Sequence, residues 1–326
     1  MSAEHVHRTT HEVTVAAPAG VVYGLIADAA KWPLYFPPNV HVEQLESDGS
    51  RERLRMWATA NGQIKSWTSR RTLDVAQRRI EFRQEVPASP LESMGGTWIV
   101  EARGGASCRL VLLHDFTVAG DDADDVAWVE RATDTNSHAE LGNIKRLAEG
   151  WERLDDLVMS FEDSVRVEGP AERVYSFLHH VQEWPTLVPH VSRLDVTEPE
   201  PGVQVMSMDT LTADGNSHTT ESVRVCFPDA RRIVYKQTAT PLLMSAHTGE
   251  WSLVEDETGV TVTSQHSVVL REENITRVLG PRAGVAECRR YVREALGRNS
   301  TATLNLAKAH AESATGNPGE DRVRVA

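Results

Sequence analysis

At 326 residues and 40% hydrophobic content, the chain exceeds ordinary single-domain size and carries enough apolar material for two buried cores. Its 47 acidic against 34 basic residues leave a formal charge of −13, which argues against a nucleic-acid partner. Three widely spaced cysteines, Cys108, Cys226 and Cys288, suggest neither a disulfide framework nor a paired-thiol zinc site, and no segment reads as a signal peptide or a membrane helix, so a soluble, cytoplasmic protein is expected.

A duplication organises the elements. Val13, Val15, Pro18, Tyr23, Trp32 and Pro33 recur 152 positions later as Val165, Val167, Pro170, Tyr175, Trp184 and Pro185. Arg78-Arg79-Ile80 recurs as Arg231-Arg232-Ile233, Trp98 as Trp251, His114 as His266, and Asn136-Ser137 as Asn299-Ser300. The order is kept, so the chain divides into domains at 1–158 and 159–312, with a Gly/Pro/charge-rich tail at 313–326 expected to be disordered.

In chain order, each copy begins with an extended segment, then places Pro18 or Pro170 at the start of a short helix, where a missing N–H costs nothing. Trp32-Pro33 and Trp184-Pro185 break that helix. Period-two alternation follows in Leu54/Met56/Ala58, in Trp67/Ser69/Arg71/Leu73/Val75 and in Ile80/Phe82/Gln84/Val86, predicting antiparallel strands with two distinct faces. Asp121, Asp122, Asp124 and Asp125 read as a solvated acidic loop. Leu141, Ile144, Leu147, Trp151 and Leu154 then step by threes and fours along a closing amphipathic helix, with Leu304 to Ala307 in a shorter second version. The pattern predicts an α+β fold of two tandem helix-grip domains, each a curved antiparallel sheet wrapped around its last helix with a cavity between them.

Arg71 shares an apolar strand face with Trp67, Ser69, Leu73 and Val75, and a guanidinium there needs a reason. Either it meets an inward carboxylate or it serves a cavity. Ser222 and Arg224 repeat the Ser-x-Arg spacing, but Val223, Val225 and Phe227 occupy the alternate face and leave the orientation of Arg224 open. Aromatic residues gather around the first copy's strands: Trp32, Tyr35, Phe36, Trp67, Phe82 and Trp98. Half of these are expected to be core and the rest cavity walls. His114 and His266 are either core histidines or proton shuttles. His179, His180 and His190 lack ligand spacing and read as solvent-facing, so no metal site is expected. Nucleophile elbows, phosphate loops and dinucleotide fingerprints are all missing.

Ala30-Lys31-Trp32-Pro33 with Phe36, then Trp67-Thr68-Ser69-Arg70-Arg71, then Gly95-Gly96-Thr97-Trp98 resemble the polyketide aromatase/cyclases of bacterial type II synthases. The duplication, over residues 8–310, resembles their didomain subclass. That resemblance implies a START-like fold, no cofactor, a poly-β-ketone delivered by an acyl carrier protein, and other synthase subunits as partners. It casts Arg71 as the residue that binds and polarises substrate, Ser69 as its neighbour, and Trp32, Trp67 and Trp98 as shaping aromatics, with Phe82 and His114 beside them. Ser222, Arg224, Trp184, Tyr235, Trp251 and His266 are the second-copy candidates. A tyrosine of single-domain relatives falls near Asn39 here, leaving Tyr35 as a nearby candidate. First-ring C7–C12 closure is the family-level expectation. Arg51, Arg53 and Arg55, or Arg289, Arg290 and Arg293, are candidate carrier-docking residues, against a plain solvated face. The same cavity could instead serve a noncatalytic lipid or small-ligand carrier, or the two copies could form a docking scaffold for other subunits.

Overall fold

The computed structural model describes residues 5–60, 62–211 and 217–313. It divides into two compact units at Asp155/Asp156, and each is described by itself. Of the expected tail, everything after Ser313 lies outside the described residues.

The first unit runs β1 (His7–Val15), α1 (Ala19–Ala27), α2 (Trp32–Tyr35), β2 (Asn39–Ser47), β3 (Arg51–Ala60), β4 (Gln63–Asp74), β5 (Arg79–Gln84), β6 (Leu91–Ala102), β7 (Cys108–Val118) and α3 (Ala123–Glu149). Helix α4 (Trp151–Leu157) follows at the boundary between the units. The second repeats the plan with β8 (Val158–Val167), α5 (Ala171–His179), α6 (Trp184–Leu187), β9 (Val191–Glu200), β10 (Val203–Leu211), β11 (Ser217–Phe227), β12 (Arg232–Ala239), β13 (Met244–Asp256) and β14 (Gly259–Leu270). It ends with a short α7 (Ile275–Leu279) and a long α8 (Val285–Glu312). Each unit holds one antiparallel seven-stranded sheet, ordered β1-β7-β6-β5-β4-β3-β2 and β8-β14-β13-β12-β11-β10-β9. A meander that returns its first strand beside its last curls around the closing helix, which is the helix-grip fold expected from the sequence.

Pro18 and Pro170 stand as N-caps of α1 and α5 with extended backbone, so the ring sits where the chain turns into the helix and no helical donor is lost. Val15, Val22, Ile26, Ile80, Leu110 and Ile144 form the first core. Val167, Val174, Leu178, Ile233, Val262 and Leu304 form its counterpart.

Three expectations change. The acidic run is the start of α3: Asp122 is its N-cap and accepts from the backbone N–H of Asp124 and Asp125, where carboxylates favour the helix dipole. Helix α3 stops at Gly150, and Trp151, 41% exposed, opens the separate α4, from which Leu154 still packs against the first core. The second closing helix is the longer one, 28 residues against 27.

Candidate active site

In the first domain Arg71 does point inward, and its charge is met there. The side chain is 4% exposed. Nε and Nη2 donate to Glu52 Oε2 at 3.1 and 2.5 Å, Nη1 donates to the Ile26 carbonyl at 3.0 Å and Nη2 to that of Ala27 at 2.7 Å. The guanidinium lies 5.1 Å from the centre of the Trp32 ring, whose Nε1 donates to the Leu25 carbonyl. Glu52 faces Arg71 directly across the β3–β4 ladder. Arg71 therefore caps the C-terminal carbonyls of α1 and is neutralised as it does so, the inward-carboxylate alternative left open by the strand pattern.

The second domain builds the same corner without the carboxylate. Gln204 faces Arg224 across β10–β11, as Glu52 faces Arg71. Gln204 Nε2 donates to the His179 carbonyl at 3.2 Å, and Arg224 Nη2 donates to that of Leu178. The two carbonyls at the end of α5 are thus shared between an amide and a guanidinium. Arg224 is 4% exposed, stacks 5.8 Å from the centre of Trp184, and leaves Nη1 buried with no hydrogen-bond partner among the described residues. Burial pushes its pKa down, because a guanidinium without a carboxylate is costly in a low-dielectric site. The strand pattern left its orientation open because β11 is buried on both faces: Val223 and Val225 are 2% and 3% exposed. A strand covered on both sides shows no clean alternation.

Arg224 lines a cavity of about 160 Å³ between the sheet and α8, together with Ser222, Trp184, Trp251, Tyr235 and His266. These are the six second-copy residues singled out from the sequence. His247, which the sequence reading missed, joins them, and so does His190, which therefore does not simply face solvent. Tyr235 on β12 reaches across β13 to His266 on β14 because Gly249 lies between them. A Cβ at Gly249 would stand 2.3 Å from Tyr235 Cζ and Oη. His266 Nδ1 lies 3.1 Å from the Tyr235 hydroxyl and 3.0 Å from His247 Nε2, while its Nε2 lies 3.3 Å from Ser264 Oγ. Burial drives His247 down to about 3 and His266 to about 4, and pushes the Tyr235 hydroxyl up. All three are neutral at physiological pH.

The first domain keeps the scaffold of this cluster and changes its chemistry. Phe82 crosses Gly96 toward His114, with ring centres 5.7 Å apart, and Met94 occupies the register position of His247. His114 is held neutral by burial, at about 4, with Nδ1 unpartnered among the described residues. Ser69 Oγ donates to the Arg83 carbonyl at 3.0 Å. Trp98 is in the core, Trp67 packs beside Leu54 and Met56, and the carbonyl of half-buried Tyr35 accepts from Asn143.

Most of the candidate docking arginines are engaged within the chain. Arg53 pairs with Glu85 and Arg293 with Asp163, Arg55 stacks on Trp57, and Arg289 holds the carbonyls of Asp156 and Val158. Among the described residues, two groups with metal-binding donor types come together, His5/His7/Asp121 and His11/Asp134/His138. Both contain a direct histidine–aspartate hydrogen bond that occupies the donors, His7 to Asp121 at 2.6 Å and His11 to Asp134 at 2.9 Å. No described helix is long and apolar enough to cross a membrane.

Two helix-grip domains in tandem, the second with a cavity that Arg224 enters between its sheet and its closing helix, define a didomain START-like protein. A family model described as polyketide cyclase / dehydrase and lipid transport matches residues 6–149 and again 159–312. The chain belongs to that family, among its didomain aromatase/cyclases. It is 44% identical over 95% of its length to the granaticin polyketide synthase bifunctional cyclase/dehydratase of Streptomyces violaceoruber, 95% of which is covered. It is 42% identical to the actinorhodin polyketide synthase bifunctional cyclase/dehydratase of Streptomyces coelicolor, over 97% of this chain and 100% of that one. Among solved structures it resembles the di-domain ARO/CYC BexL from the BE-7585A biosynthetic pathway, at TM-score 0.86 and 51% identity over 94% of this chain and 99% of that one. It also resembles the di-domain ARO/CYC StfQ from the steffimycin pathway, at TM-score 0.83 and 33% identity over 95% and 100%.

Proposed function

We propose that this protein closes and dehydrates the first ring, by C7–C12 aldol chemistry, of a poly-β-ketone presented by an acyl carrier protein, as a cytoplasmic component of a type II polyketide synthase. The observation that carries the reading is Arg224: a buried guanidinium with an N–H unpartnered among the described residues, on the wall of a cavity lined by tryptophans and hydroxyls. An aldol closure needs the chain bent so that its reacting carbons meet, and a cation where the enolate and then the alkoxide carry charge. Holding the reacting carbons together can supply roughly 7–11 kcal/mol in favourable cases, and a preorganised donor in a dry site adds to it. Arginine remains charged throughout and therefore acts as stabiliser, not base.

Within this reading Arg224 and Ser222 form the electrostatic centre, and Trp184 and Trp251 form walls that hold a planarising ring. Arg71 and Ser69 maintain the first domain, whose part in gripping the chain falls to Trp32, Tyr35, Trp67, Phe82, Trp98 and His114. The test is product analysis of a minimal synthase reconstituted with wild type, Arg71→Ala and Arg224→Ala, each checked for folding. Wild type is expected to redirect the spontaneous product mixture and folded Arg224→Ala to restore it. A wild-type protein that leaves the mixture unchanged on reduced and unreduced chains overturns the reading and favours a carrier.

A further inference from the structure

We propose that Tyr235, His266 and His247 form a proton relay that expels water from the ring-closed chain. The proposal rests on the cyclase/dehydratase reading above and assigns its dehydration step to named atoms. Three observations carry it. The groups are hydrogen-bonded in series through one atom, His266 Nδ1. All of them line the cavity that Arg224 enters. His247 is 2% exposed, and its Nδ1 is buried with no hydrogen-bond partner among the described residues.

The relay uses one of the tautomer sets that the hydrogen-bond pattern admits. With His266 Nε2–H donating to Ser264 Oγ, His266 Nδ1 is an acceptor whose single lone pair takes His247 Nε2–H and the Tyr235 hydroxyl in turn. His247 Nδ1 then carries a free lone pair and Tyr235 a donatable proton. The β-hydroxy ketone produced by aldol closure has an acidic α C–H and a hydroxyl one carbon away. His247 Nδ1 takes the α proton, the C–H electron pair becomes the new C=C bond, the C–O bond breaks, and the departing hydroxide takes the Tyr235 proton as water. His247 Nε2–H passes to His266 Nδ1, and that proton passes on to the Tyr235 phenolate. The substrate has lost one H and one OH, and the relay ends neutral, with His247 in its other tautomer. Exchange with solvent on product release restores it.

Such a route suits groups whose burial resists ionisation, since the proton gained at one end is replaced at the other. Arg224 favours the transient phenolate, its charge acting to lower the Tyr235 pKa against the larger effect of burial. The first domain shows that the scaffold does not require this chemistry: Phe82, Gly96, His114 and Met94 take the places of Tyr235, Gly249, His266 and His247.

The experiment uses the reconstituted synthase with wild type, Tyr235→Phe and His247→Met, replacements that the first domain already accommodates. Mass spectrometry separates ring-closed products that differ by one water. Both variants are expected to accumulate the hydroxylated ring, with dehydration slowed about 10²–10⁴-fold, the usual effect of a general acid or base. Wild-type rates of dehydration in both variants overturn the relay and leave the cyclase reading standing. A wild-type protein without effect on the products overturns that reading and the relay with it. A readout that needs no turnover is the ¹⁵N resonance of His266 Nδ1: it is expected to move in Tyr235→Phe, and an unmoved resonance overturns the hydrogen bond on which the relay depends.

Discussion

In the first domain Arg71 holds the carbonyls of both Ile26 and Ala27 and is neutralised by Glu52, whereas in the second Arg224 holds Leu178 alone because Gln204 has taken the carbonyl of His179. The helix end is capped in both copies, so the structural need is the same. What differs is where the charge goes. A carboxylate opposite the arginine turns the corner into a closed ion pair. An amide opposite it shares the same capping and leaves Arg224 Nη1 buried without a hydrogen-bond partner among the described residues. The neighbouring positions differ in the same direction: Phe82 against Tyr235, Met94 against His247 and Trp67 against Thr220 give the second domain the more polar set.

The largest expected effect breaks the closed side of the comparison. Arg71→Ala leaves the Glu52 carboxylate, 13% exposed, without its partner. Losing one member of such a pair typically costs about 3–5 kcal/mol, while apolar replacement of both is close to neutral. Arg71→Ala should therefore lower the unfolding midpoint in denaturant sharply, and Arg71→Met with Glu52→Leu should recover much of it. Next in size is Gln204→Glu, which transplants the first corner into the second. It should pair with Arg224, keep the protein folded, and cost on the order of 10²-fold in turnover of the reconstituted synthase, as removal of one preorganised donor does. Unchanged turnover would mean that the free charge of Arg224 is not used.

Much of this architecture was legible without coordinates. The repeated prolines, the Trp-Pro pairs and the strand parity carry the duplicated helix-grip plan, because turns and half-buried strands impose residue types locally. Arg71 was legible as inward for the same reason. Its partner was not, since Glu52 lies 19 positions away and only strand register brings the two together. Comparing the copies at positions 52 and 204 would have exposed the Glu-to-Gln exchange, a signal present in the sequence and not used. His247 was hidden for the opposite reason: its counterpart is Met94, so a search for repeated residues passes over it, although it completes the cluster that His266 only begins. The end of α3 at Gly150 was hidden too, since Trp151 and Leu154 keep the apolar spacing while the backbone has already left α3.

Two predictions of middle size sharpen the contrast between the domains. Gly249→Ala forces Tyr235 off His266, and overpacking of this kind costs about 1–3 kcal/mol. Dehydration should suffer with it, and wild-type product ratios from a folded Gly249→Ala would show that the Tyr235–His266 contact is dispensable. Acid should also separate the domains. His114 at about 4, and His247 and His266 at about 3 and 4, lie below the ordinary value of 6.5. The unfolded chain therefore binds more protons than the native one between these limits, and stability rises with pH there. The contribution is whole above about 6.5 and is lost as the pH falls toward 4. Burial also lowers His179 and His190, so with four such histidines against one the second domain should lose protection from hydrogen exchange first, and His247→Met should narrow the gap.

The smallest effect concerns the closing helices. Helix α3 starts on a side-chain cap, Asp122 accepting from Asp124 and Asp125 at 3.0 and 3.1 Å. Helix α8 starts at Gly284, whose backbone N–H donates to Glu287 at 3.0 Å. Removing an aspartate N-cap typically costs about 1 kcal/mol, because two backbone donors lose their acceptor and a negative charge leaves the positive end of the dipole. Asp122→Ala should lower the stability of the first domain by that amount. Glu287→Ala should do less to the second, since one of the two backbone donors it serves, the Gly284 N–H, lies outside the helical ladder and is free to bond water. Equal losses would indicate that the two grips are secured at their helix starts in the same way. A loss confined to Asp122→Ala would place the difference between the copies in scaffold as well as chemistry.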